Sequence, residues 1–466
     1  MTKQECAIKY ITENYLDYRR LRHDIVADKL QVRLLGDEAK GKRQEYWKEL
    51  SKHDINSIVC HCAQEYDANI TSREVMTALQ SDLIPDVHPL REYINALPRY
   101  TPDQPDWIDF VAQQVRVRES SADRPKGLSE RTACCQTTML LDRPYGAERP
   151  TNLTGEADLT ISEAHGLTSN SSQRERSKAD RLWRACFKKW FVAMVASWMK
   201  DEVVNHQVLV LIGKQGIFKT TWLEHLIPPH LRAYACKLAN SNDLNKDERL
   251  RIAEFGLISL DEIDSMNNRE LNQLKSVITA TDVNERAAYA YTKERRVRLA
   301  SFCASGNRRD FLTDITGNRR WLPFEVESIQ NPFYTILPYE RMYAQAWALA
   351  QDPLFSYWFD LDEIEVLEQH NQYFRDESNE EQLLPILFDV PAEGRGEFMT
   401  TAQISERLVT YGNIKKPMAL SRLGMVLGAA GYQSTRPKIG GRLIRGWLVY
   451  QRDTDEIASL KRLLKE

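Results

Sequence analysis

The chain has 466 residues, with 63 Lys and Arg against 66 Asp and Glu, for a formal net charge of −3. That length implies about three domains with ample core, and the near balance of charge excludes a globally basic nucleic-acid coat. Lys3, Glu5 and Lys9 interrupt any leader-like start, and the most apolar stretch, Trp183–Met199, carries Lys188 and Lys189. A cytoplasmic protein with no membrane partner is therefore expected.

Residues 1–118 mix short helical and strand patterns and end in Pro98, Pro102 and Pro105. They read as an α+β region with Tyr10, Tyr15, Tyr18 and Trp47 in its core, and without the acidic triad or His motif of primase chemistry. Cys60-His61-Cys62 and Cys134-Cys135 do not space like zinc ligands and read as free thiols of a reducing compartment. Residues 119–180 mix Ser, Thr, Arg and acids without a sustained period, the pattern of a disordered insertion.

Residues 181–350 carry the chemistry. Val208 to Ile212 is an apolar strand running into Gly213-Lys214-Gln215-Gly216-Ile217-Phe218-Lys219-Thr220-Thr221. Gly213 and Gly216 let such a turn bend so that its N–H groups face phosphates. Lys219 suits the β- and γ-phosphates of ATP, Thr220 suits Mg²⁺, and Gln215 and Thr221 lie beside them. Phe218 stands where a second glycine would normally allow φ > 0. Phe255 to Leu260 is a second apolar strand, ending in Asp261 and Glu262. An acid at a strand end positions Mg²⁺, and one beside it orients the attacking water. Lys275 lies near the end of the next helix. Arg286 to Arg298 then interleaves Tyr289 and Tyr291 with Lys293, Arg295, Arg296 and Arg298, a mixture suited to single-stranded DNA. A third strand, Val297 to Ala304, ends in Ser305-Gly306-Asn307, where Asn307 can reach the γ-phosphate or the water. Arg319 and Arg320 follow in Thr316-Gly317-Asn318-Arg319-Arg320-Trp321, a pair able to supply charge to phosphoryl transfer in cis or to a neighbouring subunit.

Residues 351–390 read as a helical post-core segment and residues 391–466 as a basic winged-helix-like domain. From Tyr411 to Arg452 there are Lys415, Lys416, Arg422, Arg436, Lys438, Arg442, Arg445 and Arg452 and no acid, a positive surface suited to duplex phosphates. Thr400 to Leu408 reads as a capped helix, Leu420 to Ala430 as a recognition helix, and Gly440-Gly441 as the turn of a β-ribbon whose Arg436, Lys438 and Arg442 face DNA.

The order Gly-Lys-Gln-Gly-Ile-Phe-Lys-Thr-Thr, Leu-Asp-Glu, Ala-Ser-Gly-Asn, Thr-Gly-Asn-Arg-Arg-Trp resembles the virulence-associated E family. These are ATPases of phages and mobile elements, related to superfamily 3 helicases of the AAA+ class. Trp183 to Asp201 resembles the family's lead-in helix, Leu361 to Leu384 its post-core helix, and Ser81 to Tyr93 its pre-ATPase segment. The resemblance implies an α/β fold: a P-loop NTPase parallel sheet flanked by helices, with a helical N-terminal region and a C-terminal winged-helix-like domain. It makes Asn307 the sensor, Arg319 or Arg320 the arginine finger, and residues 286–298 a hairpin gripping single-stranded DNA in a channel. It further implies a homo-oligomer, most simply a hexamer, that hydrolyses ATP with Mg²⁺ to move on DNA during replication. An ATP-switched DNA-binding initiator that separates no strands is the alternative, favoured by Phe218. A nucleotide-independent interaction protein is opposed by intact Lys219, Asp261, Glu262 and Arg320.

Overall fold

A computed structural model describes residues 1–18, 20–34, 46–118, 178–238, 251–285, 294–313, 318–391 and 396–463. The protein is mixed α/β and forms two compact units, Met1–Arg308 with Arg320–Leu367, and Arg309–Arg319 with Glu368–Glu466. Nearly all of residues 119–180 lies outside the described residues.

The first unit begins with α1 (Lys3–Ile11), β1 (Leu21–Asp24), β2 (Lys29–Leu34), β3 (Tyr46–Glu49), α2 (Lys52–Tyr66), α3 (Ser72–Leu79) and β4 (Asp86–Val87). The strands form a four-stranded sheet in the order β3-β2-β1-β4. The N-terminal region is thus α+β rather than simply helical. Tyr10 is in its core, Tyr15 packs partly against that core, and Trp47 lies under the Arg22 guanidinium at 4.1 Å. Tyr18, expected inside, is 63% exposed. Period-based reading fails there because the chain turns directly after a short π-helical segment ending at Leu16.

Next come α4 (Pro89–Asn95), α5 (Trp107–Ala112), β5 (Val115–Val117) and α6 (Lys178–Met199). Along α6, Trp183, Phe187, Trp190, Phe191, Met194 and Trp198 are fully buried, a helical-period stripe that forms much of the core. Each indole N–H on it is satisfied by a backbone carbonyl, Trp183 by Ala112, Trp190 by Phe302 and Trp198 by Gly256.

The central sheet is built from β6 (Val208–Ile212), β7 (Ala235–Leu238), β8 (Leu257–Leu260), β11 (Ser301–Gly306) and β12 (Trp321–Ile329), with β5 at one edge. Its order is β5-β12-β6-β11-β8-β7. All pairings are parallel except β5 with β12. β6, β8 and β11 are buried at every residue, as parallel strands covered on both faces must be. After the edge strand β5, the parallel part starts in β6, crosses to the far edge at β7, returns through β8 and β11 to the side of β6, and then places β12 on its other side. That makes β6 the switch point, where the C-terminal strand ends of an open α/β sheet receive ligands.

Helix α7 (Lys219–His225) follows β6, and α8 (Asn268–Thr279) follows β8 behind an Asn267-to-Glu270 capping box. A separate two-stranded ribbon, β9 (Asp282–Glu285) with β10 (Glu294–Val297), precedes β11. The expected strand Val297–Ala304 is therefore two elements. Val297 pairs with Asp282 in the ribbon, while the sheet pairing starts at Ser301 opposite Leu257. Helix α9 (Tyr339–Gln351) and the start of α10 (Leu361–Asn371) complete this unit.

The expected helix Leu361–Leu384 is interrupted. α10 ends at Asn371 and α11 spans Asn379–Leu387, because Ser378 caps the Glu381 N–H and starts a new helix. In the second unit α11 is followed by β13 (Phe388–Asp389), β14 (Glu397–Met399), α12 (Thr401–Gly412), α13 (Leu420–Ala429), β15 (Gln433–Thr435), β16 (Lys438–Ile439), β17 (Arg442–Leu443), β18 (Gly446–Gln451) and α14 (Thr454–Leu463). β18 pairs with β13, β14 and β15, while β16 and β17 form their own hairpin. Leu384, Ile404, Leu408, Leu423, Leu427, Trp447 and Val449 make its core.

Candidate functional site

The C-terminal ends of β6, β8 and β11 open onto a cleft of about 310 Å³. Of the nucleotide, metal, water and sensor residues expected from sequence, Gln215, Gly216, Lys219, Thr220, Thr221, Asp261, Glu262 and Asn307 all line it. Gly213 lies just below, where its N–H donates to the Gly306 carbonyl at 3.1 Å. A Cβ on Gly213 would come within 2.7 Å of the Val326 carbonyl oxygen. Gly216 is needed for another reason: its φ is +83°, and no heavy atom lies within 4 Å of where a Cβ would stand.

Lys219 is buried, and its ammonium crosses the loop to donate to the Gly213 and Lys214 carbonyls, both at 2.7 Å, and to Asn307 Oδ1 at 3.3 Å. Burial holds this ammonium below the ordinary lysine value, against the pull of Asp264 and Asp261. Thr220 Oγ1 lies 2.9 Å from Ser305 Oγ and 3.3 Å from Asp261 Oδ1, and Ser305 Oγ donates to the same Asp261 oxygen at 2.8 Å. The other Asp261 oxygen pairs with Lys237 Nζ at 2.8 Å. Burial alone would raise the Asp261 carboxyl. Hydrogen bonds from Lys237, Ser305 and Thr220 outweigh it and leave the group below its ordinary value.

The backbone carries strain at this cleft. Among the described residues the non-glycine positions with positive φ are Asp28, Asp67, Phe218, Glu262 and Asn413. Asp and Asn tolerate that region; Phe and Glu do so at a cost of about 1–2 kcal/mol. Both of the latter, Phe218 at +67° and Glu262 at +52°, line the cleft. The loop thus keeps the left-handed turn that a glycine would favour, with phenylalanine in it.

Three contributors were not foreseen. Ser305 bridges Thr220 and Asp261, Lys237 holds Asp261 from β7, and Asp264 accepts the Asn307 and Arg308 N–H groups at 3.1 Å each. Ser305 carried a weak signal, a hydroxyl at a strand end two residues before Asn307. Lys237 carried none, since only the pairing of β7 with β8 brings it near.

Arg320 does not line the cleft, and Arg319 belongs to the second unit and is exposed. The residues expected on DNA divide. Arg295 is exposed and pairs with Asp282 at 2.7 Å. Arg296 is mostly buried, held by Asp28 at 2.6 Å and Glu254 at 3.6 Å. Arg298 is 1% exposed and donates to the Ala300, Val277, Ile278, Ala280 and Asn205 carbonyls. It is a structural cation rather than part of a DNA surface. Lys275 is half-buried on α8, and Lys293 lies outside the described residues. In the second unit Arg436, Lys438 and Arg442 are exposed, the latter two on the β16–β17 hairpin. Two of the eight cations there are used internally: Arg422 donates to the Thr313 carbonyl and Arg452 pairs with Asp389.

The donor set fits a nucleotide-bound divalent cation. Thr220 Oγ1, Asp261 Oδ1 and Ser305 Oγ are all oxygens, the ligands of a hard ion, and Mg²⁺ takes one or two carboxylates plus substrate phosphates rather than an all-protein cage. Among the described residues no three His, Cys, Asp or Glu side chains group as a metal site. Among the described residues Cys6, Cys60, Cys62, Cys186, Cys236 and Cys303 take part in no disulfide, and no described helix is long and apolar enough to cross a membrane.

A mixed α/β unit with a glycine-bearing loop at the switch point of its parallel sheet is the class these observations define. Residues 167–381 match the family model described as the virulence-associated protein E-like domain, which supports the family seen in the sequence motifs. No curated protein matches the chain by sequence. Among solved structures, the apo structure of the NrS-1 C-terminal region (305–718) is similar over 96% of this chain and 100% of that chain, with 12% identity and a TM-score of 0.40. An A-form apo structure of the same region is similar over 93% of this chain and 98% of that one, with 12% identity and a TM-score of 0.39.

Proposed function

We propose that the cleft binds ATP with Mg²⁺ and that the chain is a P-loop, AAA+-like ATPase that moves on DNA in the replication of a phage or mobile element. The observation that carries this reading is the hydrogen-bonded set Lys219–Asn307 and Thr220–Ser305–Asp261 at the ends of three parallel strands. Lys219 has donors to turn toward β- and γ-phosphates. Thr220 and Asp261 would hold the metal, which neutralises phosphate charge when bound. Glu262, exposed at the rim, would orient the water, and Asn307 would sense the γ-phosphate. An arginine from a neighbouring subunit, Arg319 or Arg320, would complete the site, because Arg320 does not line the cleft of its own unit. Hydrolysis would then depend on a homo-oligomer, most simply a hexamer. The exposed Arg436, Lys438 and Arg442 support duplex contact, and Arg295 supports contact at the ribbon.

The test is Mg²⁺-dependent ATP turnover against protein concentration, with and without single-stranded DNA, beside Glu262→Gln. Turnover that rises with concentration and with DNA and vanishes in the variant supports the motor. Phe218 in a strained turn favours a second reading, an ATP-switched DNA-binding initiator. ATP binding without turnover in any condition, with DNA affinity that differs between ATP and ADP, would replace the motor by the switch.

A further inference from the structure

On the side of Phe218 the cleft borders a loop that the phosphate and metal residues do not use. This loop follows β12, and in it Phe333 is 69% exposed. An aromatic so exposed is rarely held in place, yet this ring is. It stands perpendicular to Phe218 with centroids 6.4 Å apart and perpendicular to His225 at 5.6 Å. The turn beneath it is fixed by Asn331, whose Oδ1 accepts the Phe333 N–H at 3.0 Å and whose carbonyl accepts the Tyr334 and Thr335 N–H groups. His225 is fixed as well, its Nδ1 lying 2.7 Å from the Thr221 carbonyl oxygen. Phe333 therefore spans from the residue before Lys219 to the residue one helical turn beyond Thr221, and both Phe218 and Thr221 line the cleft.

A triphosphate with its terminal phosphates at Lys219, and its metal between Thr220 and Asp261, would leave the side of the cleft lined by Phe218 and Thr221 for its nucleoside. We propose that Phe333, propped by Phe218 and His225, is the platform on which the base of that nucleoside stacks. The inference rests on the nucleotide reading of the cleft and adds the subsite for the base. Stacking uses the π-face that every base presents, so the platform itself favours a nucleobase without choosing among bases. It also gives the phenyl group of Phe218 a use that glycine could not supply, since without that ring one of the two supports of Phe333 is gone.

The experiment titrates the full chain, with Mg²⁺, against ATP, GTP and inorganic tripolyphosphate by calorimetry, beside Phe333→Ala and Phe333→Trp. The exposure of Phe333 leaves the fold of both variants intact, which unchanged thermal melting verifies. The unaltered protein is expected to bind ATP and GTP more tightly than tripolyphosphate. Phe333→Ala should weaken both nucleotides about tenfold and leave tripolyphosphate unchanged, and Phe333→Trp should restore nucleotide binding. ATP binding that is unchanged in Phe333→Ala, or lost in step with tripolyphosphate, overturns the platform while the phosphate site stands. Binding of none of the probes by the unaltered protein overturns the nucleotide reading and the platform together.

Discussion

Asp264→Ala probes how the end of β11 is held. Asp264 receives the Asn307 and Arg308 N–H groups on its two carboxylate oxygens, each at 3.1 Å. A Cβ added to Gly306 would come within 2.8 Å of Asp264 Oδ1, so the carboxylate is pressed directly against the strand end. Hydrogen bonds to a charged group contribute about 1.5–3 kcal/mol each when buried. Asn307 and Arg308 are exposed, so roughly 1 kcal/mol each, and about 2 kcal/mol together, is the expected loss of stability. The functional loss should be larger than that share suggests. Asn307 Oδ1 is already at 3.3 Å from Lys219 Nζ, and a shift of about 1 Å in a positioned group can cost on the order of a hundredfold in rate. We expect steady-state turnover to fall about ten- to a hundredfold while ATP affinity, measured by calorimetry, stays within about threefold. Asp264→Asn keeps one carbonyl acceptor and should fall between the two. A variant that loses about 2 kcal/mol in urea unfolding but turns over ATP at the unaltered rate would refute the claim that Asp264 positions Asn307 for the proposed reaction.

Gly213→Ala places a Cβ 2.7 Å from a backbone oxygen of the neighbouring strand and should cost about 1–3 kcal/mol in urea unfolding. Gly216→Ala meets nothing within 4 Å and should cost only the left-handed strain, about 1 kcal/mol; equal losses would refute the distinction. His23 sits between Asp86 at 2.8 Å and Asp28 at 3.2 Å. Burial would lower its pKa, but the two carboxylates together raise it above the ordinary 6.5. Its contribution to stability is therefore full below that value and lost as pH rises through the raised one. Unfolding monitored between pH 5 and 9 should show this loss in the unaltered protein and not in His23→Gln. Arg298→Met removes a buried cation and leaves the Ala300, Ile278 and Asn205 carbonyls without it; a loss of about 3 kcal/mol or more is expected. Arg295→Ala should leave unfolding unchanged and lower the salt dependence of single-stranded DNA binding by about one unit of slope; a destabilised Arg295→Ala would put that residue in the fold instead.

What was legible in the sequence was whatever is local. The apolar run Val208–Ile212, the two loop glycines and the acids after Leu260 sit where a strand-turn-helix and a strand end demand them. The site's remaining bonds depend on register between strands far apart in the chain. Ser305 reaches Asp261 because β11 pairs with β8 and with β6, Ala304 opposite Leu260 and Ser305 opposite Leu211. Lys237 reaches it because β7 pairs with β8, Lys237 opposite Ser259. No periodicity in the chain announces either pairing. The ribbon shows the complementary failure. Counting Arg295, Arg296 and Arg298 as one basic surface ignores the pleat, which sends neighbouring side chains to opposite faces. Arg295 faces out, and Arg296 turns to Asp28 and Glu254.

Phe218 shows where residue identity and backbone conformation part company. Phenylalanine fits poorly at a position needing φ > 0, and residue 218 nevertheless has φ of +67°. The loop does not take its shape from residue 218. It is fixed at one end by the Gly213 N–H on the Gly306 carbonyl and by β6 locked between β11 and β12. At the other end the Phe218 carbonyl accepts the Trp222 N–H at 2.8 Å, and Trp222 is fully buried. These anchors together outweigh a strain of about 1–2 kcal/mol. A glycine would remove that strain, so its absence is informative only through what the ring touches. The ring touches Phe333, the exposed aromatic beside the cleft. The cost at Phe218 is thus tied to a second aromatic beside the cleft, and the proposed base platform would give that departure from the usual loop pattern a use.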